Sequence, residues 1–449
     1  MKIVLKKVRK KTPFSWLDPV KVEPLELEYL KAVIDELNVS LNSNQSLISN
    51  HGVANTLRLE CVIVDPLYHK EKVAGDVVVL TGYNTARDQM ILEAKQLKEN
   101  APGTIVIGSG VDVQVNWKHY ENSAFDYLIA SNRLSDFKNL IEQLATQTLN
   151  ADPSIAEDAN HLNANPITIH GDKLTAFEMV KPSRDYFEQI KHQTRYLLYD
   201  NVALVKRAHS CPYGCEFCFC TKLNQGHYIS RSFEMLRLEM ETINADTFWV
   251  VDDVFIHNRD EAASFIETFR GTSYKMIVYL RADFIANNAD LMEALKNTGI
   301  VEVIVGFESI KDSVLENYHK GYTPDINTKA IAVLNDSGVS FTALFMLDIG
   351  AELQDFKALK TYIKKMKIHN YTFSIFTPLQ GTDLYKVYEK DIIDFNCEHY
   401  DFLHLVLKPL KMRAITFKLA FAQLFIFQFF HAKSARQFVF KWFFGMRLI

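Results

Sequence analysis

The chain opens as an alternation of short apolar runs with amphipathic stretches. Residues 76–80, 104–107 and 125–130 are runs rich in Val, Ile and Leu, the composition of strands buried on both faces. Stretches of helical period lie among them at 25–37, 86–99 and 134–144. Pro24 stands at the first turn of the earliest, and Pro102 and Gly103 close the second. This order predicts a parallel sheet covered by helices on both sides, a Rossmann-like doubly wound domain over residues 1–150. Residues 151–200 are polar and weakly patterned, and are expected to form a linker that becomes structured near Lys181-Pro182-Ser183-Arg184.

The alternation resumes over residues 201–400. Apolar runs at 202–207, 247–251, 276–280, 301–305, 341–347 and 372–376 are separated by helical stretches such as 234–243, 261–269, 291–297 and 325–335. Six such units in order predict a partial (β/α)6 barrel of the TIM type, so the chain as a whole is α/β. In such folds the chemistry sits at the carboxyl ends of the strands. Residues 401–449 read as a helical tail that is both apolar and basic. From Phe402 onward there are eight Lys or Arg and no Asp or Glu, and residues 414–430 are nearly all apolar. A membrane-spanning helix needs about 20 apolar residues, and this run is shorter and holds Lys418. It fits an interfacial amphipathic helix, or one packed on the barrel or a partner.

Composition narrows the class. A chain of 449 residues is too long for one ordinary core. With 23% charged residues and a net charge of −4, general nucleic-acid binding is not expected. The basic N-terminus (Lys2, Lys6, Lys7, Arg9, Lys10, Lys11) is not followed by an apolar core and a small-residue cleavage site, so a cytoplasmic location is expected. Of six cysteines, four (Cys211, Cys215, Cys218 and Cys220) fall within ten residues, a pattern of metal binding rather than of a disulfide scaffold.

That cluster, Ser210-Cys211-Pro212-Tyr213-Gly214-Cys215-Glu216-Phe217-Cys218, directly follows a predicted strand. Three thiolates on one tight loop can hold three irons of a cubane and leave the fourth open, whereas a ferredoxin-type cluster takes four cysteines. A zinc site using Cys220 or His209 as a fourth ligand is the alternative. Its spacing is awkward for the paired hairpins that zinc knuckles use. Phe217 sets an aromatic ring beside the site, and Cys220 is read as a thiol that packs as a small apolar residue. Arg281 follows the third barrel strand, where its planar fork could pair with a carboxylate.

On Cys211, Cys215, Phe217 and Cys218 the chain resembles the radical S-adenosylmethionine (radical SAM) superfamily, whose hallmark is C-x3-C-x-aromatic-C after the first barrel strand. The resemblance implies a [4Fe-4S] cluster whose open iron binds S-adenosylmethionine, and reductive cleavage of that cofactor to a 5′-deoxyadenosyl radical. It also implies a small-molecule substrate and an external one-electron donor such as flavodoxin or ferredoxin. Asp252 and Asp253 match the position where the family contacts the methionine amino group. Gly306-Phe307-Glu308-Ser309 resembles its G-x-E-S signature, with Glu308 at the cofactor, and Phe376-Thr377-Pro378 resembles its closing turn.

The order of domains resembles the cobalamin-binding group that includes anaerobic magnesium-protoporphyrin ester cyclases and hopanoid methylases. That likeness implies a cobalamin cofactor near Thr81, Tyr83, Ser109 and Gly110, and methylation or cyclisation of an unreactive carbon in an apolar or lipid-like substrate. It depends on Pro24-Leu25-Glu26-Leu27-Glu28-Tyr29-Leu30, the strand and turn over 77–85, Gly108-Ser109-Gly110 and Phe125-Asp126-Tyr127-Leu128. Departures are the absence of a D-x-H-x-x-G lower ligand and of the glycines that the group carries at Ala130-Ser131-Asn132-Arg133. A cobalamin-independent radical enzyme with a degenerate first domain, or a non-catalytic iron-sulfur protein, would share the remaining features. Peripheral membrane contact through the tail is a further expectation.

Overall fold

The computed structural model describes residues 1–10, 18–48, 58–69, 73–150, 165–433 and 435–437. The chain divides into two units, one of residues 1–17, 23–190 and 223–227, the other of residues 18–22, 191–222 and 228–449.

The first unit is built on a six-stranded sheet: β1 (Lys2–Lys7), β2 (Glu60–Val64), β3 (Val77–Thr81), β4 (Ile105–Ser109), β5 (Tyr127–Ile129) and β6 (Ile167–Ile169). All its pairings are parallel, in the order β2-β1-β3-β4-β5-β6. Side chains alternate across a strand, and β3 shows the consequence. Val77 and Val79 pack with Leu27, Ile34 and Phe137 on one face, while Val78 and Leu80 pack with Met90, Tyr120 and Phe125 on the other. Both faces are therefore covered, as the unbroken apolar runs require. The strand order reverses beside β1, and doubly wound folds bind ligands at the carboxyl edge there. The register brings Lys7, Thr81 and Ser109 side by side at that edge.

Three segments depart from the sequence expectation, one of them the strand Glu60–Val64, which was not anticipated. Of residues 151–200, expected as a linker, 151–164 lie outside the described residues, and 165–190 fold with the first unit, where Ile167–Ile169 pairs with β5. Three residues are too few to show alternation. The basic N-terminus is β1, next to the middle of the sheet: Ile3, Val4 and Leu5 are buried, Lys7 pairs with Glu26, and Arg9 grips Asp65 with two hydrogen bonds of 2.7 and 2.6 Å.

The second unit carries β7 (Val202–Val205), β8 (Thr247–Val250), β9 (Met276–Tyr279), β10 (Ile300–Glu308), β11 (Phe341–Leu347) and β12 (Asn370–Ile375). They pair in parallel and in sequence order, with β7 and β12 at the edges: the predicted partial barrel. Helices follow most strands, among them Arg259–Phe269, Pro324–Ser337 and Leu353–Lys365, and the helix Ala414–His431 comes last. Gly299 leads into β10 at φ +113°, and a Cβ there would meet the carbonyl oxygen of Tyr274 at 2.3 Å. Gly299→Ala is expected to lower unfolding stability by roughly 1–3 kcal/mol through strain and that clash, read as a lower urea midpoint; an unchanged midpoint would refute it.

Candidate functional site at the carboxyl ends of the barrel strands

The site starts from a register. Val205 of β7 lies opposite Val250 of β8, so the residues just beyond both strands meet. Asp252, 1% exposed, accepts the successive backbone N–H groups of Arg207 and Ala208 on one oxygen, at 2.7 and 2.9 Å. Ala208–His209 then pairs antiparallel with Ile229–Ser230, and Ser210 turns the chain at φ +63°. Cys211, Cys215 and Cys218 follow on an irregular loop, with Cys215 buried and the Cys218 N–H donating to the Cys215 carbonyl at 3.1 Å.

Positive charge faces these thiols. Arg281, at the end of β9, lies 3.8 Å over the Tyr213 ring and donates to Cys215 Sγ at 3.6 Å, to the Lys320 carbonyl at 2.7 Å and to the Asp283 carboxylate at 3.0 Å. The fork expected to take a carboxylate is thus divided among the cysteine loop, the Lys320 backbone and its own neighbour Asp283. The buried Lys320 donates to Glu308 Oε1 at 2.9 Å and stands 5.6 Å over the Phe217 ring. Burial opposes the Lys320 ammonium most strongly, but Glu308, Tyr322 and Cys215 together outweigh it and keep the pKa above the ordinary lysine range. Glu308 sits at φ +59° past a register shift in β10 and folds its carboxylate back over Gly306, where a Cβ would meet it at 2.3 Å. His319, before Lys320, is also at positive φ. Non-glycine residues in this conformation cost about 1–3 kcal/mol each and concentrate at functional sites.

Burial pushes the Cys211 thiol up to about 12, so a metal bound there would have to displace its proton. A hydrogen bond from the Cys220 thiol brings Cys218 below the ordinary thiol range, and burial, eased by a hydrogen bond with Cys220, raises Asp253. Cys220 thus lies between the Cys218 thiol and the Asp253 carboxylate. Phe217 continues through Tyr318 (5.1 Å) to Phe376 (5.3 Å), joining the cysteine loop to the end of β12.

The second unit thus brings together the cysteines, Phe217, Asp253, Arg281 and Glu308, and makes Asp252 the anchor of the loop. Lys320 was missed, since nothing in its local pattern sets it apart from a surface lysine. The three thiols with two cations against them fit a cubane, which takes one thiolate per iron. Among the described residues, no three Cys, His, Asp or Glu side chains converge on a single metal ion. Thr81, Tyr83, Ser109 and Gly110 lie at the carboxyl edge of the first unit, where Lys7 stands 4.2 Å over the Tyr83 ring.

Residues 205–363 match the model of the radical SAM superfamily. Among curated proteins, the chain is 25% identical over 224 residues to the bacteriochlorophyllide d C-8(2)-methyltransferase of Chlorobaculum tepidum, covering 46% of this chain and 49% of that protein. It is 23% identical over 216 residues to the anaerobic magnesium-protoporphyrin IX monomethyl ester cyclase of Rubrivivax gelatinosus, covering 46% and 39%. The chain thus spans less than half the length of these relatives. In fold it is similar to the cobalamin-dependent S-adenosylmethionine radical enzyme OxsB with aqua-cobalamin bound (TM-score 0.65, 13% identity, 96% of this chain and 67% of that one). It is also similar to the radical S-adenosylmethionine methyltransferase TsrM of Kitasatospora setae with cobalamin and a [4Fe-4S] cluster (TM-score 0.58, 14% identity, 92% and 83%).

Burial pushes the Asp252 carboxyl from 3.8 up to about 6, against the two N–H groups it accepts. Folding therefore favours its protonated form. That contribution is complete below the unfolded value and is lost as pH rises through about 6. Asp252→Asn keeps an acceptor oxygen without the charge. Relative to this variant, the thiol-reduced wild type is expected to lose up to about 3 kcal/mol of stability between pH 4 and pH 7. Urea midpoints at several pH values test this, and a difference that does not vary with pH would refute it.

Proposed function

We propose that this chain, whose barrel is a radical SAM domain, reductively cleaves S-adenosylmethionine and uses the resulting radical on an unreactive carbon of an apolar small molecule, by methylation or cyclisation. The observation that carries the reading is the cysteine loop anchored by Asp252, with Arg281 and the Lys320–Glu308 pair set against it. Cys211, Cys215 and Cys218 would hold a [4Fe-4S] cluster, and Phe217, Asp253 and Glu308 would border S-adenosylmethionine. Held there, a cluster would supply one-electron reduction of S-adenosylmethionine at its C–S bond, with the electron drawn from an external donor of the flavodoxin or ferredoxin class. The chain's own residues hold and shield. Arg281 and Lys320 offset thiolate charge, and the Phe217–Tyr318–Phe376 rings form an apolar wall on one side of the loop.

For the first unit we propose cobalamin, held at the edge where the strand order reverses by Thr81, Tyr83, Ser109 and Gly110. The 56% exposed Tyr83 ring and the bare backbone of Gly110 at φ +101° suit a flat ligand, which would carry a methyl group. One observation favours the cobalamin-independent reading. The loop after β5 is already covered, since a Cβ at Gly171 would lie 2.4 Å from Ser131 Oγ and 2.1 Å from Asp136 Oδ2.

After anaerobic reconstitution and reduction with dithionite, the protein is expected to show the EPR signal of a reduced [4Fe-4S] cluster and to release 5′-deoxyadenosine. Cys215→Ala should abolish both. Cleavage that survives the substitution, or is absent from the wild type, would sink the reading. Separately, a corrin absorption band should stay with the protein through gel filtration and weaken in Gly110→Val. A wild type that retains no corrin would leave the radical chemistry and remove the cobalamin.

A further inference from the structure

The helix Ala414–His431 takes no part in the chemistry above, and it has two apolar faces. One is buried: Phe417 meets Phe356 at 5.4 Å, Phe427 meets Tyr371 at 5.9 Å, and the Gln428 amide donates to the Tyr371 carbonyl. The other is open. Ile415, Leu419, Ile426 and Phe430 are 62, 59, 59 and 62% exposed and fall on one side at helical spacing. Lys411 and Arg413 precede the helix, Lys418 lies on it, and Lys433 and Arg436 follow it, with no acidic residue from Phe402 to the end of the sequence.

We infer that this outer face docks on an anionic lipid bilayer, its apolar side chains entering the interface and its flanking cations meeting the headgroup phosphates. Soluble surfaces rarely leave so continuous an apolar stripe uncovered. Charge selects the occupant. A second copy docked face to face would bring two basic, acid-free segments together, whereas an anionic surface complements them. The orientation follows from packing. By length and composition the helix could cross a membrane. Crossing would strip Phe417, Phe421 and Leu424 from the core they fill, while lying in the interface leaves that face on the barrel. The inference is independent of the proposed reaction, since it needs neither cluster nor cofactor.

Flotation of the full chain with phosphatidylcholine vesicles, with and without phosphatidylglycerol, tests it. The wild type should float with the anionic vesicles, less so as salt rises, and remain behind with the neutral ones. Ile426→Glu combined with Phe430→Glu should cut partition by about tenfold or more, as should Lys411→Glu combined with Arg413→Glu. All four side chains point outward, so circular dichroism should be unchanged. Equal flotation of the variants would overturn the inference. So would a wild type that ignores anionic vesicles, including one that runs as a dimer abolished by the Ile426 and Phe430 substitutions.

Discussion

One carboxylate oxygen sets where the cysteine loop begins. Asp252 sits where β8 ends and ties down two consecutive N–H groups just beyond β7. Those donors have left the sheet ladder, and buried and unpaired they would each cost about 1–3 kcal/mol. The carboxylate satisfies both at once, and so fixes direction as well as position. Ser210 then takes its left-handed turn from a fixed base, and the cysteines follow within a few residues of that anchor. Without it, the loop would hang from a strand only four residues long.

Charge is the second constraint. Three thiolates gathered on one loop, as a bound cluster would require, would repel each other, and that repulsion is strongest where water is excluded. Arg281 and Lys320 answer it from two directions, and they are tied to each other because the Arg281 guanidinium donates to the Lys320 carbonyl. Lys320 in turn holds Glu308 in a backbone conformation that a glutamate does not choose by itself. Asp253, Cys220 and Cys218 form a further chain of side-chain hydrogen bonds at the loop. A change at any one of these positions is therefore felt at the cysteines.

What could be read in advance followed from periodicity. All six barrel strands, the apolar strands β3 and β4 and the helix Ala414–His431 carry runs long enough to show their pattern, and each lies within a few residues of where it was expected. β1, β2 and β6 were not anticipated: β1 because its charged ends mask a three-residue apolar centre, β2 because it is a partly exposed edge strand, and β6 because it is three residues long. The cysteines, Phe217 and Glu308 were legible because their spacing is chemical and local. Lys320 was not, since its role comes from a fold that returns it to Glu308 twelve residues later in the chain. Arg281 and Asp252 show the intermediate case. Their positions at strand ends could be read, but most of their partners, backbone groups and a sulfur atom besides the nearby Asp283 carboxylate, are revealed only by the register.

The positive-φ residues of this site show how it is held. Ser210 and Glu308 lie beyond or at the ends of strands whose bodies are almost wholly buried and apolar, and His319 follows the short helix Asp312–Asn317. A strained conformation persists only when its surroundings over-determine it, and the sheet supplies that rigidity. Each strand delivers its last residues at a fixed height, and ion pairs and carboxylate-to-backbone bonds then hold turns that the chain alone would not adopt. The same division appears in the first unit, where β3 is buried on both faces while Thr81 at its end and Tyr83 just beyond it are polar. Fold stability and site geometry are thus carried by different parts of the same strands, which leaves the strand ends free to differ in chemistry while the sheets stay the same.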